Sequence, residues 1–172
     1  MRRPVILIGL PGAGKTTAAP QAADLLDTRW CDLDERIASR AGRSIPDIFA
    51  QDGEERFREL ERQAMDEVLG EGPQVIAAGA GWAAQPGNLA AVATRALVLY
   101  MSLTPAQAAA RVPGNTGRPL LSGGAPEQRI AELLAARERW YRLADLEIAV
   151  GDAPPDAVAA GIATAARQYG GW

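Results

Sequence analysis

Apolar residues in this chain gather into short runs separated by longer stretches with helical spacing. Val5-Ile6-Leu7-Ile8 is continuous rather than alternating, which predicts a buried parallel strand over 4–9. Gln74-Val75-Ile76-Ala77-Ala78 predicts another, and Arg95 to Ser102, rich in Leu, Val and Tyr, a third. Leu146 to Val150 and the shorter Thr28-Arg29-Trp30-Cys31 complete five strands. Helices are predicted between them. The first covers 15–26. A second runs from the low thirties to Arg40 and stops before Gly42. Ser44-Ile45-Pro46-Asp47 has the form of a capped helix start, Gly53 breaks that helix, and Glu54 to Leu69 resumes it with Phe57, Leu60, Ala64 and Val68 on one stripe. Further helices are expected over Pro86 to Ala93, from Thr104-Pro105 to Arg111, from Pro126 to Leu143, and from Pro154-Pro155 to Gln168. Strands alternating with helices predict a mainly parallel sheet covered on both faces. Two stretches interrupt the alternation: the helical segment 33–69 and the loop 112–125, with Arg118 in its middle. Loops of that length are commonly lids or disorder.

The 172 residues suit one domain with a real core, and 48 % hydrophobic with 23 % charged residues is ordinary for a globular protein. The net charge of −3 argues against nucleic acid as the main partner. Cys31 is the one cysteine, so there is neither a disulfide framework nor a thiol-clustered metal site. The absence of histidine removes His-based catalysis and His-ligated zinc, leaving acid–base work to Asp, Glu, Lys, Tyr or Cys31. Met1-Arg2-Arg3 before apolar residues faintly suggests a secretory leader, but the run is too short. No stretch approaches the roughly 20 apolar residues of a membrane span. The expected compartment is the cytosol.

The first strand leads into Gly9-Leu10-Pro11-Gly12-Ala13-Gly14-Lys15-Thr16-Thr17, the pattern G-x-x-x-x-G-K-[ST] in a strand–loop–helix setting. Glycines let several backbone N–H groups converge on phosphate oxygens, and the following helix adds the positive end of its dipole. Lys15 can reach the β- and γ-phosphates, and the Thr16 hydroxyl can ligate Mg²⁺. Asp32-Leu33-Asp34 ends the second strand, where open α/β sheets bind ligands. Read locally, it is a polar turn with Asp34 as N-cap; beside a phosphate loop, its carboxylates become candidates for holding Mg²⁺. Arg58 and Glu61 are three apart on one helical face, and periodicity alone reads them as a surface ion pair of little consequence. Gly79-Ala80-Gly81-Trp82 follows the third strand as either a tight turn or a place of close ligand approach.

Taken together, these pieces resemble the shikimate kinase family along nearly the whole chain. The match rests on Gly-x-x-Gly-x-Gly-Lys-Thr at 9–16, Asp32-x-Asp34, Gly53-Glu54-x-x-Phe57-Arg58-x-x-Glu61, the turn at 79–81, Arg118-Pro119-Leu120-Leu121, and Arg137 followed by Tyr141. The resemblance implies a single three-layer P-loop kinase domain with five parallel strands in the order 2-3-1-4-5. Its acceptor-binding segment would be about 33–69 and its lid about 112–125. It implies ATP-dependent phosphorylation of the 3-hydroxyl of shikimate, on the route to aromatic amino acids. Lys15, Asp34 and Arg118 would be catalytic. Gly12, Ala13, Gly14, Lys15, Thr16, Thr17, Arg111, Arg118 and Pro155 would hold the nucleotide, and Thr16 and Asp32 the Mg²⁺. Arg58 and Arg137 would grip the shikimate carboxylate, with Glu61 orienting Arg58 and Asp34 holding the hydroxyls. Gly79, Ala80 and Gly81 would form the turn against the substrate. Ile45, Phe49, Phe57, Pro119 and Leu120 would line its apolar side. The partners would be ATP and shikimate, with no nucleic acid and no membrane, and the chain would be a monomer.

One departure bears on the substrate. The family usually carries three glycines at the turn, whereas alanine stands at 80 and Trp82 follows. If position 80 requires a positive φ, the methyl group costs about 1 kcal/mol; otherwise it only narrows the pocket. Two alternatives therefore stand beside shikimate phosphorylation: a kinase of the same fold for another small polyol or hydroxy acid such as gluconate, and a nucleotide-binding relative without catalysis.

Overall fold

The computed structural model describes residues 1–112 and 125–172. Five strands form one sheet: β1 (Val5–Ile8), β2 (Arg29–Asp32), β3 (Gln74–Ala77), β4 (Leu97–Ser102) and β5 (Leu146–Ala149). Their order is β2-β3-β1-β4-β5, and every neighbouring pair is parallel. This is the α/β order that the family resemblance implies. Val5 sits in register with Val75 on one side and Leu97 on the other. All residues of β1 and β3 are buried, so helices cover both faces of the sheet centre.

Among the described residues seven helices accompany the strands: α1 (Lys15–Leu25), α2 (Leu33–Ala41), α3 (Ile45–Gly70), α4 (Asn88–Val92), α5 (Pro105–Arg111), α6 (Pro126–Tyr141) and α7 (Pro155–Tyr169). Their ends follow local chemistry. The Ser44 hydroxyl caps α3 by accepting from the Asp47 N–H, and Thr104 with Gln107 forms a reciprocal capping box on α5. Gly42 closes α2 in the left-handed region at φ 64°. Gly53 breaks α3 as its place in the sequence predicts: its φ 81°, ψ 172° is non-helical, and α3 is two helical stretches joined there by a kink.

Two local expectations need correction. The helix expected over Pro86 to Ala93 is only Asn88–Val92, because Gly87 turns left-handed and the Asn88 side chain is buried, donating to the Trp82 carbonyl. The N-cap of α2 is Asp32 rather than Asp34. Asp32 Oδ1 accepts from the N–H groups of Asp34 and Glu35, which puts Asp34 in the first turn. None of the described helices is long and apolar enough to cross a membrane.

Candidate active site

The loop between β1 and α1 lies at the carboxyl end of the central strand. Gly12 is left-handed there (φ 83°), and a Cβ on it would stand 2.6 Å from the Ala108 carbonyl oxygen, so no larger residue fits. Gly14 caps α1 with no side chain of its own, which leaves the first-turn N–H groups to a ligand. The buried Lys15 bends back over the loop, its Nζ donating to the carbonyls of Gly9 (2.8 Å) and Leu10 (2.9 Å). A cavity of about 410 Å³ opens beside the loop. Gly12, Ala13, Gly14 and Thr17 form one wall, and Arg111 and Pro155 belong to the other. The Arg111 guanidinium is held by the Gly151 carbonyl.

Thr16 Oγ1 donates to Asp32 Oδ2 at 2.7 Å. A carboxylate and a hydroxyl at a phosphate loop fit Mg²⁺, which binds through one or two carboxylates plus substrate phosphates and water. Among the described residues no cluster of three or more acidic or thiol ligands exists that would make a dedicated protein cage.

A second group of residues converges across β1. Arg58 is buried and donates from Nη1 to Glu61 Oε2 at 2.6 Å and from Nη2 to Glu54 Oε1 at 3.1 Å. Glu61 is 1 % exposed, so the pair read above as a surface feature is a desolvated one; a helical stripe cannot reveal what later covers it. Burial drives the Glu61 carboxyl up to about 7, against the pull of Arg58, and the nearby Asp34 adds to the rise. Arg58 is held above its ordinary range: desolvation acts to lower it, and the charges of Glu61 and Glu54 outweigh that loss. Arg137 is buried too, and its Nη1 and the Arg58 Nε meet no acceptor among the described residues. Two buried guanidinium groups with N–H donors to spare are suited to an anion.

The turn 79–82 lies against this cluster. A Cβ at Gly79 would stand 2.9 Å from both Asp34 Oδ1 and Glu61 Oε1, and one at Gly81 would stand 2.6 Å from Arg58 Nη2. Both glycines are there for close approach, since neither has a positive φ. Ala80 has no positive φ either, so its methyl group carries no backbone strain. Trp82 is buried and lines, with Met65 and Asn88, a cleft of about 260 Å³ between α3 and α4. Phe49 and Phe57 pack with ring centroids 4.7 Å apart, and the Arg58 guanidinium lies 5.3 Å from the Phe57 ring centre.

Two groups of predicted residues thus flank one strand end: Gly12–Thr17, Asp32, Arg111 and Pro155 on one side, Asp34, Arg58, Glu61, Gly79–Gly81 and Arg137 on the other. Arg118, Pro119 and Leu120 lie outside the described residues. Residue-by-residue reading missed Glu54 as the second partner of Arg58, although its spacing four residues earlier was visible. It also gave Tyr141 no role; its hydroxyl donates to the Ala80 carbonyl at 2.5 Å, a contact 61 residues apart that no local pattern encodes.

Comparison with known proteins places the chain in a family. The family model described as shikimate kinase matches residues 11–167. The chain belongs to the shikimate kinase family. It is an ATP-dependent phosphotransferase of that family, which serves aromatic amino acid biosynthesis. The shikimate kinase of Thermobifida fusca is 41 % identical over 155 residues, covering 90 % of this chain and 89 % of that protein. That of Geobacter sulfurreducens is 36 % identical over 167 residues, covering 97 % and 92 %. Among solved structures, the shikimate kinase of Acinetobacter baumannii in complex with shikimate superposes with a TM-score of 0.89 at 31 % identity, over 94 % of this chain and 91 % of that one. A gluconokinase from Sinorhizobium meliloti superposes at 0.63 with 14 % identity, which is a likeness of fold alone.

Proposed function

We propose that the chain transfers the γ-phosphoryl group of ATP to the 3-hydroxyl of shikimate, and that it does so as a single domain with an acceptor segment near 33–69 and a lid near 112–125. The observation that carries this reading is the buried Arg58–Glu61 pair beside Arg137, facing Asp34 and the 79–81 turn. A small acid needs guanidinium donors, and desolvated ones discriminate more strongly than exposed ones. The relative solved with shikimate supports this choice of acid.

Phosphoryl transfer asks mainly for positioning and charge neutralisation. Lys15 leaves the loop carbonyls for the β- and γ-phosphate oxygens, and the loop N–H groups hold the phosphate chain. Arg118, from the lid, adds positive charge. Arg111 and Pro155 flank the base. Thr16 and Asp32 would hold Mg²⁺, which would supply neutralising charge to the phosphates. A hydroxyl whose proton is committed to Asp32 keeps its lone pairs for that cation. Asp34 accepts from the substrate hydroxyls, aligning the attacking oxygen first and taking its proton late, as a loose transition state allows. Glu61 fixes the Arg58 fork, Arg58 and Arg137 bind the carboxylate, and Phe49 and Phe57 supply the apolar side. The enzyme works as a cytosolic monomer.

A coupled assay of ADP release with Mg·ATP tests this, run with and without shikimate. Release that depends on shikimate is the expected result. Nucleotide binding with no release on adding shikimate, but release on adding another hydroxy acid such as gluconate, would overturn it.

A further inference from the structure

The Tyr141–Ala80 hydrogen bond does more than join α6 to the turn. Trp82 N–H donates to the Gly79 carbonyl at 3.1 Å, which closes 79–82 into a β-turn. The other carbonyls are also taken: Ala80 by Tyr141, Gly81 by Gln85 Nε2 (3.2 Å) and Trp82 by Asn88 Nδ2 (2.9 Å). In contrast, the N–H groups of Gly79, Ala80 and Gly81 meet no acceptor among the described residues. The turn thus spends its acceptors on the protein and keeps three consecutive donors, beside Arg58, Glu61 and Asp34.

A β-turn of this kind has a known weakness. Rotating its central peptide converts type I into type II, at the cost of a positive φ at the third residue, and glycine meets that demand freely. Here the third residue is Gly81, which has no positive φ in this structure. The rotation would carry the Ala80 carbonyl to where the Gly81 N–H now points, and an oxygen would replace a donor. The peptides are all trans and planar, so pinning the carbonyl of Ala80 also aims the N–H of Gly81 the opposite way.

We propose that Tyr141 is a positioning residue that locks the Ala80–Gly81 peptide, holding the Gly81 N–H as a donor for the acceptor substrate. The proposal rests on the reading of the turn as part of the acceptor pocket. Tyr141 is fully buried, and its ring stacks on Tyr100 at 5.2 Å, so the hydroxyl has little freedom to seek another acceptor. Burial drives its phenol up to about 12, so it stays a donor throughout any ordinary assay range. Arg137 lies one turn earlier on α6 and acts on the same hydroxyl, so one group aligns both the turn and a candidate carboxylate-binding arginine.

Two readouts on Tyr141→Phe test the lock. Amide ¹⁵N relaxation dispersion without substrate should show new exchange at Gly81, absent from the parent. Steady-state kinetics should show KM for shikimate raised by about tenfold, the scale of one hydrogen bond, with KM for ATP and kcat within about twofold. Tyr100→Phe, which keeps the stacked ring, should show neither change. No Gly81 exchange and no change in KM would overturn the lock. Exchange with an unchanged KM for shikimate would show instead that the turn does not hold the acceptor, so the reading of the site fails. The parent chain offers a test that needs no variant to fold: Gly81 exchange already present in it, without substrate, would also overturn the proposal.

Discussion

The two halves of the site are built by opposite means. The proposed nucleotide half is mostly local: Gly12, Gly14, Lys15 and the first turn of α1 lie within one short stretch beside a cavity of about 410 Å³. The proposed acceptor half gathers side chains remote in sequence, the part-buried Asp34 of α2 and the buried Arg58, Glu61 and Arg137 of α3 and α6, around the backbone donors of the turn 79–82. Phosphates are large and multiply charged, so the backbone donors and helix end of one contiguous stretch, with Lys15 adding charge, can hold them. A small carboxylic acid brings one charge, and fewer contacts must discriminate more. Desolvating Arg58, Glu61 and Arg137 before substrate arrives makes each contact stronger and leaves it little room to reorganise.

The largest break in this comparison should come from the nucleotide half. Lys15→Ala removes the cation expected on the phosphates and should lower kcat by about 10²-fold or more, measured by ADP release at saturating shikimate. Gly81→Ala should come next and act only on the acceptor half. Its Cβ would stand 2.6 Å from Arg58 Nη2. Displacing that guanidinium should raise KM for shikimate by about tenfold or more while leaving KM for ATP unchanged.

Glu61 sharpens the comparison through pH. Its carboxyl is raised from 4.5 to about 7 in the folded chain, chiefly by burial. The folded state therefore holds a proton that the unfolded state releases. The contribution of Glu61 to stability is present in full below the ordinary carboxylate range and is lost as pH climbs through about 7. Glu61→Gln cannot titrate, so the difference in Tm between it and the parent should move in favour of the glutamine variant from about pH 6 to about pH 8. A constant difference across that window would mean that Glu61 stays ionised. The smallest effect should be that of Ala80→Gly. Ala80 needs no positive φ, so KM for shikimate should stay within about twofold.

The same contrast explains what could be read from the chain. The sheet was legible because its central strands β1, β3 and β4 are nearly continuous apolar runs and some helices carry their own caps, Ser44 and Thr104 among them. The phosphate loop was legible because its nine residues are contiguous. The acceptor half was not legible from local pattern. Arg58 and Glu61 have the spacing of any helical ion pair, and the turn after β3 that lies against them is remote in sequence. The family resemblance brought those pieces together because it reads the whole chain at once. Asp32 displaced Asp34 as the cap for a local reason: its carboxyl sits before the first turn, where two N–H groups converge on Oδ1.

The most direct test of the two-part site is calorimetric titration of Arg58→Ala with each substrate in turn. The account predicts that affinity for shikimate falls by about tenfold or more, while affinity for Mg·ATP stays within about twofold of the parent. Equal loss of both would contradict it and make Arg58 a support of the fold rather than a grip on the acceptor.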